Sequence, residues 1–314
     1  MNSTKKSSDW IIRLFASILI LFGYGCCILP TALDTYSRIG QTAIISGYTS
    51  MVENLTEAEK SEAFQKAREY NQKLYEKGEY YIYSSTTDYD EDYLSLPSDN
   101  SELCAIVIDK INVNLSVGKG TEENTLQKEA GHLYGTSLPV GGENTHTVIA
   151  GHTALRSSEM FSRLEELEEG DCIDVVILGE THRYIVDQIT VCLPEEANDY
   201  LQIEEGKDLL TLYTCTPYGI NTHRLLIRAS RTDDPITDTS MNELSKEETV
   251  LTKSTKEIIK LVVIIGLPII AAVAINIICF KKEQKNERQR KLERRFEKWK
   301  RINCCLESYQ HCYV

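Results

Sequence analysis

The segment Thr211-Leu212-Tyr213-Thr214-Cys215-Thr216-Pro217-Tyr218-Gly219-Ile220-Asn221-Thr222-His223-Arg224-Leu225-Leu226-Ile227-Arg228 holds a thiol and a guanidinium nine residues apart. Two runs rich in β-branched and aromatic residues flank a loop with Pro217, Gly219 and Asn221, the pattern of a strand, a turn region and a returning strand. Cys215 closes the first strand and Arg224 opens the second, so antiparallel pairing makes them neighbours. A cation beside sulfur favours the thiolate, and it can equally stabilise the oxyanion formed when a thiolate attacks a carbonyl. For an arbitrary cysteine the plain alternative is a small, buried, inert thiol beside a solvated arginine.

A second segment, Gly135-Thr136-Ser137-Leu138-Pro139-Val140-Gly141-Gly142-Glu143-Asn144-Thr145-His146-Thr147-Val148-Ile149-Ala150-Gly151-His152, ends an apolar strand on His152. Gly151 allows close backbone approach there, although spacing alone leaves His152 balanced between a structural and an acid/base role. The two segments together resemble the sortase family: a Thr-Leu-x-Thr-Cys motif followed nine residues later by arginine, preceded by the block that supplies the family's histidine. The loop Thr-Pro-Tyr-Gly-Ile-Asn-Thr-His-Arg is similar to the class C, pilin-polymerising branch. The likeness covers roughly Leu103 to Ser230.

That resemblance implies Cys215 as nucleophile, His152 as acid/base and Arg224 as the cation for oxyanion or substrate, with no metal or organic cofactor. It implies cleavage between Thr and Gly of a Leu-Pro-x-Thr-Gly-like sorting signal and transfer of the acyl group to a pilin lysine amine. Alternatives are a housekeeping-type sortase that anchors surface proteins to the cell wall, a non-catalytic pilus-assembly scaffold, and a secreted cysteine peptidase. His132, His146, His182 and His223 are read as structural. Class C sortases commonly carry an Asp-Pro-aromatic lid motif over the cysteine, but no Asp-Pro occurs before the barrel here. Asp88-Tyr89 or Asp92-Tyr93 stand where such a lid would come, in a loop over 78–100.

The elements that must position this chemistry are mostly short strands. Leu103–Ile108, the alternation at Ile111, Val113, Leu115 and Val117, then Thr147–Gly151, Ile173–Leu178, Tyr184–Val191, Leu209–Thr214 and Leu225–Ala229 have strand patterns, with Gly179-Glu180 as a hairpin turn. Short helical pieces fit Asn124–Glu129 and Ser158–Glu168. The class is mainly β, a barrel or sandwich, and the resemblance implies an eight-stranded sortase-like barrel over 101–230. Before it, Val52, Leu55, Ala63, Ala67 and Tyr70 are spaced as on one or two amphipathic helices within 31–77, read as caps or spacers.

Two apolar runs flank this body. Trp10 to Leu29 is interrupted only by Arg13, and Leu261 to Phe280 only by Pro268 and Asn276. Each is long enough for a transmembrane helix, assigned to 10–30 and 258–280. Lys5 and Lys6 in the polar 1–9 segment, and the basic tail 281–314, put both termini in the cytoplasm. The sequence therefore predicts a two-pass cell-membrane protein with its catalytic domain outside, and a Thr/Ser/Asp/Glu/Lys-rich linker over 231–257 read as flexible.

Charge and cysteine placement exclude other classes. The formal net charge is −13; the tail 281–314 holds eleven Lys or Arg against five Glu, so the rest of the chain carries −19. So acidic a body argues against a nucleic-acid partner. Ten cysteines are present, but only Cys104, Cys172, Cys192 and Cys215 lie in the body, without C-x-x-C or Cys/His zinc spacing. Cys104, Cys172 and Cys192 are read as packed thiols, with one disulfide among them as the alternative.

Overall fold

In the computed structural model, which describes residues 3–78, 89–94, 102–153, 160–233 and 247–310, eight strands close into one barrel. They are β1 (Glu102–Ile108), β2 (Val113–Lys119), β3 (Ala130–His132), β4 (Thr145–Ala150), β5 (Cys172–Ile177), β6 (Glu180–Cys192), β7 (Asp208–Thr216) and β8 (His223–Arg231). Their order around the barrel is β1-β2-β3-β4-β7-β8-β6-β5, with β2/β3 and β4/β7 parallel and the rest antiparallel. The parallel β4/β7 contact brings two segments far apart in sequence side by side. Ile106, Ile149, Leu210, Leu212 and Ile227 fill the core at 0% exposure, so removal of apolar surface from water drives closure.

The β5–β6 turn is Leu178-Gly179, one residue earlier than the sequence suggests. Both residues have positive φ, 50° and 86°, as a two-residue hairpin turn requires. Leu178 is tolerated there because its side chain is buried and Tyr48 holds its backbone, the Leu178 N–H donating to Tyr48 Oη at 3.0 Å. The same hydroxyl donates to the Leu103 carbonyl at 3.0 Å.

Tyr48 lies on α1 (Ser3–Asn54), which is followed by α2 (Glu57–Lys77). Thr56 and Glu59 form a capping box that starts α2, and Gly78 at φ 65° ends it. Ala63, Phe64, Ala67 and Tyr70 on α2 belong to the same buried cluster as the barrel core. Asn71 clamps the Leu138 backbone with bonds of 2.7 and 3.0 Å. This segment is thus part of the core rather than a mere cap or spacer.

Other readings need correction. The helical stretch expected over 124–129 is the single turn α4 (Glu123–Leu126). In the described part of 158–168 only Leu164–Glu166 is helical, as one 3-10 turn, and 154–159 lie outside the described residues. The loop over 78–100 contains one short helix, α3 (Glu91–Leu94), while 79–88 and 95–101 lie outside the described residues. Of the linker, 234–246 lie outside as well, and its last part, 247–257, is helical, the start of α5 (Glu247–Gln310). Cys104, Cys172, Cys192 and Cys215 are all free thiols; Cys104 and Cys192 are buried as expected, but Cys172 is exposed.

The chain divides into two units, 1–28 with 259–314, and 29–258. Within the first, the Tyr24 hydroxyl donates to the Ile264 carbonyl, tying α1 to α5. No helix is long and apolar enough to cross a membrane over the described residues. The spans expected at 10–30 and 258–280 have a helical backbone, but the side chains of several positions in each run, such as 10–14 and 261–262, lie outside the description.

Candidate active site

The β7–β8 hairpin presents the first two candidates. Cys215 and Arg224 are register partners across it. The intervening loop turns through a cis Thr216–Pro217 bond, Gly219 at φ 75° and Asn221 at φ 62°, and the Pro217 carbonyl accepts from the Ile220 and Asn221 N–H groups, each at 3.0 Å. Cys215 is half-buried.

The parallel partner of β7 carries the third candidate. Ala150 on β4 is registered with Tyr213, and the pairing continues past the strand end: Gly151 N–H donates to the Tyr213 carbonyl at 3.1 Å, and Thr214 Oγ1 to the Gly151 carbonyl at 2.6 Å. His152 therefore leaves β4 at the level at which Cys215 leaves the core of β7. Gly151 is required by packing, since a Cβ there would lie 2.6 Å from the Phe161 ring. Phe161 is itself buried and its N–H donates to the His152 carbonyl at 3.2 Å. The backbone carrying His152 is thereby held on both sides.

His152 Nε2 is buried and has no hydrogen-bond partner among the described residues. Among the described residues, Glu123 Oε2 on α4 lies 3.9 Å from it, too long for a hydrogen bond. Arg224 is held firmly: its Nε donates to Tyr213 Oη at 3.0 Å, and its Nη1 to the Asn221 and His223 carbonyls at 3.3 and 3.1 Å. Tyr213 and Glu123 were not singled out from the sequence; the strand alternation that puts Tyr213 on the Cys215 side was the available signal.

The lid candidates separate. Asp88 lies outside the described residues. Tyr93 is fully buried, donating from its hydroxyl to His132 Nδ1 at 2.9 Å and accepting from the Gly120 N–H at 3.1 Å. Tyr89 packs on Tyr93 and Tyr134 and donates to the Glu122 carboxylate. Asp92 pairs with Lys73 of α2 at 2.6 Å on the surface. Asp90, not singled out earlier, caps this turn by accepting from the Tyr93 N–H at 2.7 Å and the Tyr134 hydroxyl at 3.0 Å. Residues 89–94 are therefore anchored on α2, the end of β2 and the start of α4, with Tyr93 serving as core.

The other histidines have structural partners. His132 Nε2 donates to the Ser137 carbonyl at 2.9 Å; His146 bridges the Gln202 carbonyl and Thr211 Oγ1, each at 2.8 Å. Burial pushes both imidazoles down to about 4, so they are neutral at pH 7. His182 is stacked on Phe64, and His223 lies next to Thr222 Oγ1 at 2.9 Å. No group of three or more His, Cys, Asp or Glu able to hold a metal ion occurs among the described residues.

The family model of the sortase domain matches residues 106–232. Sortase C1 from Streptococcus agalactiae is 42% identical, with a TM-score of 0.57, covering 62% of this chain and 99% of that one. The chain belongs to the sortase family. Sortase C of Clostridium perfringens, solved with the C-terminal cell wall sorting motif, is 38% identical with a TM-score of 0.54, covering 61% of this sortase and 98% of that chain. Sortase D of Bacillus subtilis is 28% identical over 137 residues, spanning 43% of this sortase and 65% of the curated relative. The structural neighbours are class C sortases, and the match ends close to the barrel's last strand.

Proposed function

We propose that this sortase is a membrane-anchored cysteine transpeptidase that joins pilin subunits. The observation that carries the chemistry is the cross-strand pairing of Cys215 with Arg224 beside the strand end that bears His152. Cys215 Sγ attacks the carbonyl carbon of Thr in a Leu-Pro-x-Thr-Gly-like signal, and Arg224 donates to the oxygen as it becomes an oxyanion. The C–N bond to Gly breaks, and His152 delivers a proton to the departing amine. A pilin lysine amine then attacks the thioester, gives up a proton to His152 and expels the Cys215 thiolate, leaving an amide.

The class of substrate is supported by the clostridial relative solved with its sorting motif and by a pneumococcal sortase C described in terms of pilin substrate specificity. Anchoring through 10–30 and 258–280, with the barrel outside the cell and both termini inside, is supported by the apolar runs with basic flanks. It is also supported by large side chains left bare on both helices, such as Phe22 at 69% and Ile270 at 66% exposure. The tail's basic residues then face the anionic inner leaflet. A lid role for Tyr89, Asp92 and Tyr93 is part of this reading, and it is supported only by their anchorage on Glu122, Lys73 and His132; Asp88 lies outside the described residues.

The test is mass spectrometry of the full chain in detergent with a panel of Leu-Pro-x-Thr-Gly-type peptides and a lysine-containing acceptor. A thioacyl adduct on Cys215 that passes to the lysine amine, absent in Cys215→Ala and His152→Ala, is expected. Transfer only to a cell-wall-type amine would favour the housekeeping reading, and an adduct that forms on no peptide would favour the scaffold.

A further inference from the structure

Tyr213 occupies the variable position of the Thr-Leu-x-Thr-Cys motif, two residues before the thiol. Strand alternation places it on the same face of β7 as Cys215, and its register partner on β8 is Leu226, two residues beyond Arg224. Tyr213 and Arg224 are thus diagonal neighbours on one face, a separation that an aromatic and a long side chain can span. They do so twice over: Tyr213 Oη accepts from Arg224 Nε at 3.0 Å, and the guanidinium carbon lies 6.0 Å from the Tyr213 ring centroid. The ring packs against the cluster of Leu133, Val148, Cys192, Ala197, Leu201 and Leu226, so the hydroxyl is a fixed point.

The remaining bonds of the guanidinium show what this fixes. A guanidinium has five N–H donors in a rigid plane. Nε is taken by Tyr213, and the two Nη1 donors by the Asn221 and His223 carbonyls. Only the two Nη2 donors make no hydrogen bond among the described residues. With Nε and Nη1 tied down on different sides of the plane, rotation about the terminal bonds of the side chain is blocked and Nη2 points one way. Burial pushes the Tyr213 phenol up, which keeps it a neutral acceptor rather than a charge that would quench the cation.

We propose that Tyr213 is a positioning residue, which orients Arg224 so that the Nη2 edge meets the carbonyl oxygen of the thioester-forming step. The assignment rests on the role given to Arg224 above. It makes the variable position of the motif a determinant of turnover: a residue without an acceptor there leaves the guanidinium held only by the loop carbonyls.

The experiment uses the full chain in detergent and the variants Tyr213→Phe, Arg224→Ala and the double variant. Peptide transfer is measured with the Leu-Pro-x-Thr-Gly-type peptide that the parent processes best. Independently of any substrate, Cys215 is alkylated by iodoacetate and by iodoacetamide, and the ratio of the two rates is read by mass mapping of the Cys215 peptide. An oriented cation near sulfur raises the rate with the anionic reagent selectively.

Tyr213→Phe is expected to lower kcat about tenfold with KM little changed, the order expected when one hydrogen bond to a charged group is lost. It should also move the alkylation ratio towards that of Arg224→Ala, and to add nothing when combined with it. Parent-like turnover and ratio in Tyr213→Phe, with both altered in Arg224→Ala, would overturn the proposal and leave the role of Arg224 standing. If Arg224→Ala changes neither, the role of Arg224 fails and the positioning role with it. If the parent transfers no peptide, the transpeptidase reading fails on its own, and the alkylation ratio decides for or against Tyr213.

Discussion

Arg224 is the register partner of Cys215 on β7 and, on its other side, of Cys192 on β6. A residue on an interior strand is held by both ladders, so its backbone position does not depend on its side chain. Substitution at Arg224 therefore tests chemistry more than fold. Arg224→Lys keeps the charge but loses the planar fork, and we expect acyl transfer to fall by about two orders of magnitude, as for loss of an oxyanion donor. Thermal unfolding at the parent temperature together with the lost rate is the expected result; equal rates would show that charge alone suffices.

Gly151 is fixed by contact rather than by its backbone angles. An alanine Cβ at 2.6 Å from Phe161 Cδ2 forces either the ring or the β4 end to move. Gly151→Ala should destabilise by about 1–3 kcal/mol, the usual cost of overpacking, and should lower activity because His152 follows directly. Adding Phe161→Leu to make room should recover stability in the double variant. Failure to recover any would place the strain elsewhere.

Acid should loosen the barrel, with the sign set by buried histidines against one glutamate. His132 and His146 titrate near 4 in the fold against 6.5 when exposed. The unfolded chain takes up their protons first, so the stability is present above about 6.5 and is lost as pH falls towards 4. Glu129 works the other way: burial raises its carboxyl from 4.5 to about 7, so its contribution is present at low pH and is lost as pH rises through 7. His182, which burial also pushes down, acts with the two histidines, so the balance is a net loss on going from pH 7 to pH 5. Glu129→Gln removes the opposing group, and its melting temperature should fall more steeply over that interval than the parent's. A shallower fall would refute the assignment.

The hairpin that bears Cys215 and Arg224 was legible in the sequence because its strands, turn residues and motif are all local. β3 was not, since three residues paired in parallel with β2 (Val117 with Ala130) show no periodicity. Leu178 concealed the β5–β6 turn because an apolar residue at positive φ is rare, and only the Tyr48 bond and burial make it acceptable here. The spacing on α2 was visible, but not that its apolar face completes the barrel core. Cys215, His152 and Arg224 were named from motif blocks. The partners that orient them, Tyr213 and Phe161, belong to contacts made only when β4, β7 and β8 come together.

Tyr93 shows how a residue in an acidic, tyrosine-rich stretch can be core. Its ring is tilted against Tyr70, Tyr89 and His132 and meets Tyr134 edge-on, and it is 0% exposed. The hydroxyl joins His132 Nδ1 to the Gly120 N–H. Tyr93→Phe keeps the ring but leaves a buried acceptor and a buried donor unsatisfied. The cost should be about 1–3 kcal/mol for each group left without a partner. Because Tyr93 is the main buried anchor of residues 89–94, limited proteolysis should cut this segment faster in the variant than in the parent, while the β7–β8 hairpin stays protected. Cleavage at the parent rate would mean that the Tyr89–Glu122 and Asp92–Lys73 contacts hold the segment without it.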